Sequence, residues 1–485
     1  MSLSSIINIS ANAELIDPIM ISALKFRKLI DHTERAYAKC WKFMSDWKEG
    51  RWVFSADELL SFQPTLAEAL FHLSETYKAL SEERQSLISR KKLLSPKWFN
   101  QRMRRLSRYQ DAITEVVNIG RILGDSFAWI FYQTERKHLR KHFAHQQIHQ
   151  MPTGVGGRGE LAFISEVRTW HGQFTIYHGI TSFLRIGDVS FYDPHSKKIT
   201  GIGEIKTESD SGSAVKLRLY LLWSAKSKKV WRQLSDPVKT AERPLPLKRQ
   251  KQLTKQLETM ADSLNPSKVE RVITLRNKTH LNEFRQLGER LGQRTQSVEQ
   301  AGDGLLLCGF RSNREKSLFS RLLPKLTDKI DKRLEGIESL LLKVVDMSQV
   351  GTSYDANCTF IGSLDLGAYP GTTPMFWWPV PLEFVRKLAF HEVTVITVYN
   401  PAHLIRKLRL LGFDVRLNGT QLSLTKRIGK VQADMGDMHH FLHYIQQHLV
   451  REDFVLEIFR KILRRIESGE IPSNTVIKFD TQLLY

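Results

Sequence analysis

The chain reads as α/β of the α+β type, with an all-helical first third, a central part built around strands, and a small α+β unit at the end. Three observations predict this. Apolar residues recur at helical spacing from about Pro18 to His149, in stretches such as "TLAEALFHLSETYKALSEERQSLI". A break at Pro152 to Gly159 ends that pattern, and strand-like runs follow it: "FTIYHGI", "GDVSFYDPHSKKITGIGEIK" and "AVKLRLYLLW". The last portion mixes strand-like "VTVITVY" and "GTQLSLTK" with helical "PAHLIRKLRLLGF" and "HHFLHYIQQHLV".

The expected boundaries are 1–150 for the helical domain, 151–310 for the central domain, 311–345 for a linking helix and 346–485 for the C-terminal unit. "GVGG" at Gly154 to Gly157 has no Gly-Lys-Ser/Thr after it, so it reads as a hinge or tight connection rather than a phosphate loop. A helix follows in "GRGELAFISEVRTWHG", with Leu161, Ile164 and Val167 near helical spacing. Then come a strand from Phe174 to Ile180, the hairpin from Gly187 to Lys206, and a strand from Ala214 to Trp223. A helix from Pro246 to Leu264 is expected next, with a strand from Gly304 to Phe310 closing the central sheet. Pro324 marks a kink or boundary in the linking helix. The stretch Tyr369 to Phe384, rich in Pro and aromatics, reads as a buried loop in preference to an exposed interface.

The hairpin carries the chemistry. If it is symmetric about Ser196, Asp188 lies opposite Glu204, with Cβ atoms about 4.5–5.5 Å apart. Period-two alternation puts Lys206 on the same face, while Val189, Phe191 and Ile205 take the other. Opposed carboxylates repel, and a hard divalent cation such as Mg²⁺ is the usual remedy. Lys206 would then stand beside the ion, where its ammonium can hold a water or balance charge growing on a phosphate oxygen. The plain alternative is a surface hairpin with solvated charges.

At these residues the chain resembles the PD-(D/E)XK nuclease superfamily, through Asp188 on one strand and Glu204-Ile205-Lys206 on the next. The resemblance spans about residues 158–310 and follows the superfamily's order of helix, strand, Asp strand and Glu-x-Lys strand. It departs in the extra strand after Lys206 and in Gly187 standing where Pro is common. It implies a restriction-endonuclease-like core with a mixed sheet and a metal-dependent nuclease acting on DNA. Asp188, Glu204 and Lys206 are then catalytic, with Glu160 on the first helix as a third carboxylate and Glu166 as the fallback for it. It further implies Mg²⁺, or Mn²⁺, held by Asp188, Glu204, Glu160 and the Ile205 carbonyl. A role in bacterial anti-phage defence or a mobile element follows by analogy only. Glu160 has an ordinary reading too, as a favourable charge near a helix N-terminus.

Composition agrees with a polyanion partner. Among 485 residues, 72 Lys and Arg face 51 Asp and Glu, a formal net charge of +21, and neutralising phosphates releases counterions. The charge clusters from Ser89 to Gln110 in Arg90, Lys91, Lys92, Lys97, Arg102, Arg104, Arg105 and Arg108, with no acid until Asp111. These are the expected nucleic-acid contacts, with DNA preferred and RNA open, while Trp98, Phe99 and Tyr109 among them read as core. His138, His142, His145 and His149 form one helical stripe with no HExxH, which reads as solvated or phosphate-facing rather than a zinc site. Three scattered cysteines exclude a disulfide framework. With no continuous apolar span and no basic leader, a soluble cytoplasmic protein is expected. A protein partner or sensor is compatible with the long flanking regions. Two other functions stay open: a non-cleaving nucleic-acid-binding subunit that keeps the nuclease fold, and an effector idle until a partner engages it.

Overall fold

The computed structural model describes residues 21–51, 56–144, 151–209, 215–223, 251–252, 255–256, 258–260, 279–311, 318, 360–363, 373–418, 421–428, 431–435 and 439–468. The arrangement is mixed α+β, an all-helical N-terminal region followed by antiparallel sheets and helices. It divides into two compact units, residues 1–270 with 316–324 and 367–370 forming the first and the remainder the second.

In the first unit, α1 (Ala23–Lys48), α2 (Ala56–Ser89), α3 (Pro96–Tyr132) and α4 (Arg136–Ala144) precede α5 (Gly154–Glu166). Ser22 caps α1 by accepting from the Lys25 N–H at 3.2 Å, and Pro96 opens α3 where a helix lacks a use for the missing N–H. The apolar face of α1, Phe26, Ile30, Tyr37, Cys40 and Met44, is fully buried at the helical spacing read from the sequence. A sheet then runs through β1 (Thr169–Trp170), β2 (Gln173–Tyr177), β3 (Val189–Asp193), β4 (Lys198–Ser209) and β5 (Val215–Trp223) in that spatial order, each strand antiparallel to the next.

Helices and sheet share one core. Phe127 of α3 stacks on Phe62 of α2 at 4.3 Å, and Phe131 stacks on Phe174 of β2 at 5.1 Å. Gln63 of α2 takes the place of a neighbouring strand: its Nε2 donates to the Thr175 carbonyl at 2.7 Å, and its Oε1 accepts from the Tyr177 N–H at 2.8 Å. Main-chain groups past the short β1 pairing are thus satisfied by a side chain. Asp125 of α3 likewise accepts from the Ser182 N–H and hydroxyl at 2.6 and 2.5 Å. The expected boundary at residue 150 therefore separates no compact units.

The second unit contains α6 (Leu281–Gln293), β6 (Gln296–Gln300), β7 (Leu305–Arg311), β8 (Phe360–Ser363), α7 (Leu382–Ala389), β9 (Val393–Tyr399), α8 (Ala402–Leu410), β10 (Asp414–Asn418), β11 (Gln421–Ile428), β12 (Val431–Met435), α9 (His439–His448) and α10 (Glu452–Glu467). Its sheets have the orders β6-β7-β9-β8 and β10-β11-β12, again antiparallel throughout.

Four expectations are corrected here. The strand at Gly304 to Phe310 does not close the central sheet: as β7 it lies between β6 and β9, because the apolar run of β9 gives its buried residues a matching neighbour. The second unit accordingly begins before residue 310, and not near 346. The expected mixed sheet is, among the described strands, wholly antiparallel. "GVGG" is the first turn of α5 rather than a hinge or tight connection. A Cβ at Gly157 would meet the Pro152 carbonyl at 2.0 Å and the Phe71 ring at 2.6 Å, so glycine lets α5 lie close to α2.

The linking helix lies outside the described residues apart from Arg311 and the helical Leu318, and the expected helix at Pro246 to Leu264 is described, as helix, only at 251–252, 255–256 and 258–260. In the Pro- and aromatic-rich stretch, Met375, Phe376 and Trp378 are fully buried, as expected of a core loop. Among the described residues no helix is long and apolar enough to cross a membrane.

Arg102 is also corrected. It is buried against Glu83, its Nε donating to Glu83 Oε1 at 2.7 Å, so it is a tie between α2 and α3 and not a nucleic-acid contact. Removing one partner of such a pair strands a charge in the interior. Glu83→Ala is expected to lower unfolding stability by about 3–5 kcal/mol in urea titration, whereas Arg104→Ala on the exposed side of α3 changes it by less than about 0.5 kcal/mol.

Candidate active site

The β3–β4 hairpin forms three pairs in the register read from the sequence, Val189–Gly203, Ser190–Ile202 and Phe191–Gly201, then slips to Tyr192–Ile199 and Asp193–Lys198. Thr200 is the extra residue of this bulge. Asp193 holds the turn, accepting from the Ser196 hydroxyl at 2.7 Å and the His195 N–H at 3.0 Å.

Asp188 stands one residue before β3 and is clasped on all its main-chain sides. Its N–H donates to the Gly203 carbonyl and its carbonyl accepts from the His178 N–H, both at 2.8 Å. Its Oδ2 accepts from the Ile205 N–H at 2.6 Å, which ties the carboxylate to the Glu-x-Lys strand. Gly187 before it has φ +71°, and a Cβ there would lie 2.6 Å from the Ile202 side chain. Proline, fixed near φ −65°, cannot occupy that position, which explains the departure noted in the sequence.

Glu204 is buried and bonds Lys206, whose Nζ donates to Glu204 Oε1 at 2.5 Å. The Lys206 side chain retains 36% exposure, so its ammonium meets solvent while Glu204 does not. From α5, which packs over β4, the buried Glu160 accepts a hydrogen bond from the Tyr177 hydroxyl. Glu166 lies exposed at the end of α5, so Glu160 is the helix carboxylate that joins the cluster.

Charge is in excess here. Burial, and then the Asp188 carboxylate, hold Glu160 well above the usual range; Glu204 adds to the rise, against the Tyr177 bond and Lys206. Burial also pushes Asp188 up to about 6, against the Ile205 N–H and Lys206. Three buried carboxylates thus share one ammonium. Among the described residues no group of three or more His, Cys, Asp or Glu side chains is arranged to hold a metal ion. The all-oxygen donors and their unbalanced charge suit a hard cation that takes one or two carboxylates and completes its shell from water and substrate.

Sequence reasoning missed the support beneath Asp188. His178 Nδ1 lies 2.9 Å from the Gly187 carbonyl, which can only accept, so this nitrogen carries the proton. His178 Nε2 hydrogen-bonds the Ser190 hydroxyl at 2.6 Å, and Ser190 Oγ in turn hydrogen-bonds the Tyr132 hydroxyl at 2.5 Å. The wholly buried chain Tyr132–Ser190–His178 therefore fixes the Gly187–Asp188 backbone from α3. No periodic signal marks such a chain, because its members come from a helix, a strand and a turn.

The expected solvated histidine stripe is corrected for the two members that are described. His138 and His142 are buried on α4, and His142 Nδ1 accepts from the Arg185 and Ile186 N–H groups at 2.9 and 3.2 Å. His145 and His149 lie outside the described residues. Of the basic cluster, Lys91, Lys92, Lys97, Arg104, Arg105 and Arg108 are exposed and Arg90 is half-buried, while Phe99 and Tyr109 are core, Tyr109 stacking on Phe26 at 4.1 Å.

The chain matches no protein-family model, no curated protein and no solved structure.

Two outcomes follow from this geometry. A carboxylate raised in the fold gives stability that is complete below its unfolded pKa and lost as pH rises through the folded value. Asp188→Asn keeps an acceptor for the Ile205 N–H and removes the charge, so the metal-free variant is expected to exceed wild type by about 2–3 kcal/mol at pH 8. Denaturant titration should show that gap closing toward pH 4. Ser190→Ala leaves His178 and Tyr132 without their shared partner and is expected to cost about 1–3 kcal/mol by the same measurement.

Proposed function

We propose that the protein is a metal-dependent nuclease that hydrolyses phosphodiester bonds of DNA, with Asp188, Glu204, Lys206 and Glu160 as its site. The observation that carries this reading is the burial of three carboxylates around one lysine at the meeting of α5, β3 and β4. Supporting it is the chain order of helix, strand, Asp strand and Glu-x-Lys strand, the order of a restriction-endonuclease-like core. The antiparallel β5 directly after the Glu-x-Lys strand is its departure from that core.

Asp188 and Glu204 would hold Mg²⁺ or Mn²⁺, with Glu160 and the Ile205 carbonyl as further oxygen donors. Bound there, the cation supplies Lewis-acid polarisation of a phosphoryl oxygen and charge neutralisation. Lys206, at the solvent side of the cluster, orients the attacking water and balances charge developing on the phosphate. Glu204 holds the Lys206 ammonium in place, and Asp188 locks the main chain at Ile205 between them. The His178 chain keeps Asp188 from turning away.

A second reading has its own support. Glu160, Asp188 and Glu204 each already engage a partner within the protein, and the described residues hold no three-ligand arrangement. That favours a nucleic-acid-binding subunit that cleaves nothing, or one whose site rearranges on meeting a partner.

The decisive assay incubates supercoiled plasmid and single-stranded circles with the protein in Mg²⁺, Mn²⁺ or EDTA. Cutting that requires metal and drops by at least about 10³-fold in Asp188→Ala and Lys206→Ala is expected. Salt-sensitive binding without cutting, equal in wild type and both variants, establishes the second reading instead. Metal affinity should strengthen as pH rises past about 6, where Asp188 loses its proton.

A further inference from the structure

Six exposed cations crowd into residues 91–108, at and just before the start of α3, with no carboxylate among them. Lys42, Lys78, Arg285 and Lys461 each have a carboxylate one helical turn away within 4.0 Å. Among the described residues, Lys91, Lys92, Lys97, Arg104, Arg105 and Arg108 have no ion pair; Lys91 lies over the Phe99 ring at 5.6 Å. Lys97, Arg104 and Arg108 follow one another at helical spacing with Arg105 beside them, opposite the buried Phe99, Leu106 and Tyr109. Asp111 and Glu115 come next on that exposed face, so the basic patch is bounded and does not continue along the helix.

The same helix measures how far the patch lies from the carboxylates. α3 has 37 residues in one element. At about 1.5 Å per residue, Arg108 precedes Tyr132 by about 36 Å and Lys97 by about 52 Å along the axis. Tyr132 meets Ser190 at 2.5 Å, two residues from Asp188 and so within about 7 Å of it along the strand. Allowing about 11 Å for the Tyr132 and Ser190 side chains that bridge helix and strand, the patch stands at least about 18 Å from the cluster, beyond the reach of an arginine side chain.

We infer that this patch is a separate backbone-binding site for duplex nucleic acid, engaged between about 5 and 15 base pairs from the reacting phosphodiester. The inference rests on the nuclease reading for the place of the reaction, and on the patch itself for binding. At about 3.4 Å per base pair, no duplex shorter than about five pairs reaches from the cluster even to Arg108, and about fifteen pairs are needed to reach Lys97. The unpaired guanidinium and ammonium groups read phosphates and not sequence, so the patch adds affinity and register without base preference. An anionic lipid surface offers similar charge, but it has no length to match.

The test measures binding by fluorescence anisotropy in EDTA, using duplexes of 8, 12, 16 and 24 base pairs of one composition, and cutting of the same duplexes in Mg²⁺. Wild type is compared with the triple variant R104E/R105E/R108E, whose folding is checked by thermal melting. Affinity is expected to rise more than about tenfold between 8 and 16 pairs, and the rise should vanish in the variant. The variant's log–log salt slope should fall by about three. Equal affinity of wild type and variant for the longest duplex, or vesicles of anionic lipid capturing wild type in preference to it, overturns the inference. Absence of cutting by wild type counts against the nuclease reading alone, since the EDTA arm still decides the patch.

Discussion

Taking three carboxylates out of water next to one another is the constraint on which the first unit turns. Each such group costs several kcal/mol to desolvate unless it is paired or neutralised, and the chain spends its polar contacts accordingly. Tyr177 is given to Glu160, the Ile205 N–H to Asp188 and Lys206 to Glu204. What these leave uncompensated appears as the raised affinity of Glu160 and Asp188 for protons. A fold that needed only stability would have solvated these groups or replaced them, which supports the catalytic role proposed for the cluster.

Holding that arrangement requires elements distant in sequence. The helices of the N-terminal region act as structural parts of the sheet, with Gln63 standing in for a strand neighbour and Asp125 anchoring the turn after β2. The Tyr132–Ser190–His178 chain then fixes the backbone ahead of Asp188. The aromatic residues of α2, α3 and β2 stack into one cluster, so α3 meets the sheet through packed rings. The long α3 therefore joins two functions proposed for the molecule, cutting at one end and backbone binding at the other.

The second unit shows the same chemistry in a structural use. Glu452, pushed up to about 7 by burial, accepts from the Tyr399 hydroxyl at 2.8 Å, and Lys407 lies between it and Asp303. These residues bind the end of β9 to α8 and α10. A buried acid with a raised pKa is thus no functional mark by itself, and the first cluster is distinguished by three carboxylates converging on the Asp and Glu-x-Lys strands.

Local pattern carried much of this protein. Helical spacing placed α1 to α4, period-two alternation placed β3, β4 and β5, and turn residues set a hairpin register that held for three pairs before the Thr200 bulge. The nearness of Asp188, Glu204 and Lys206 was legible for the same reason, since they lie within one hairpin and alternation alone puts them together. Other features were decided only by tertiary structure. That β7 belongs with β9 depends on which buried strand offers a matching edge, a contact across some ninety residues of sequence. That Arg102 is a core ion partner while Arg104 and Arg105 stay exposed depends on where Glu83 of α2 comes to rest. His178 and Gln63 owe their roles to main-chain groups left open by other elements, and no residue pattern encodes an opening that exists only once those elements have packed.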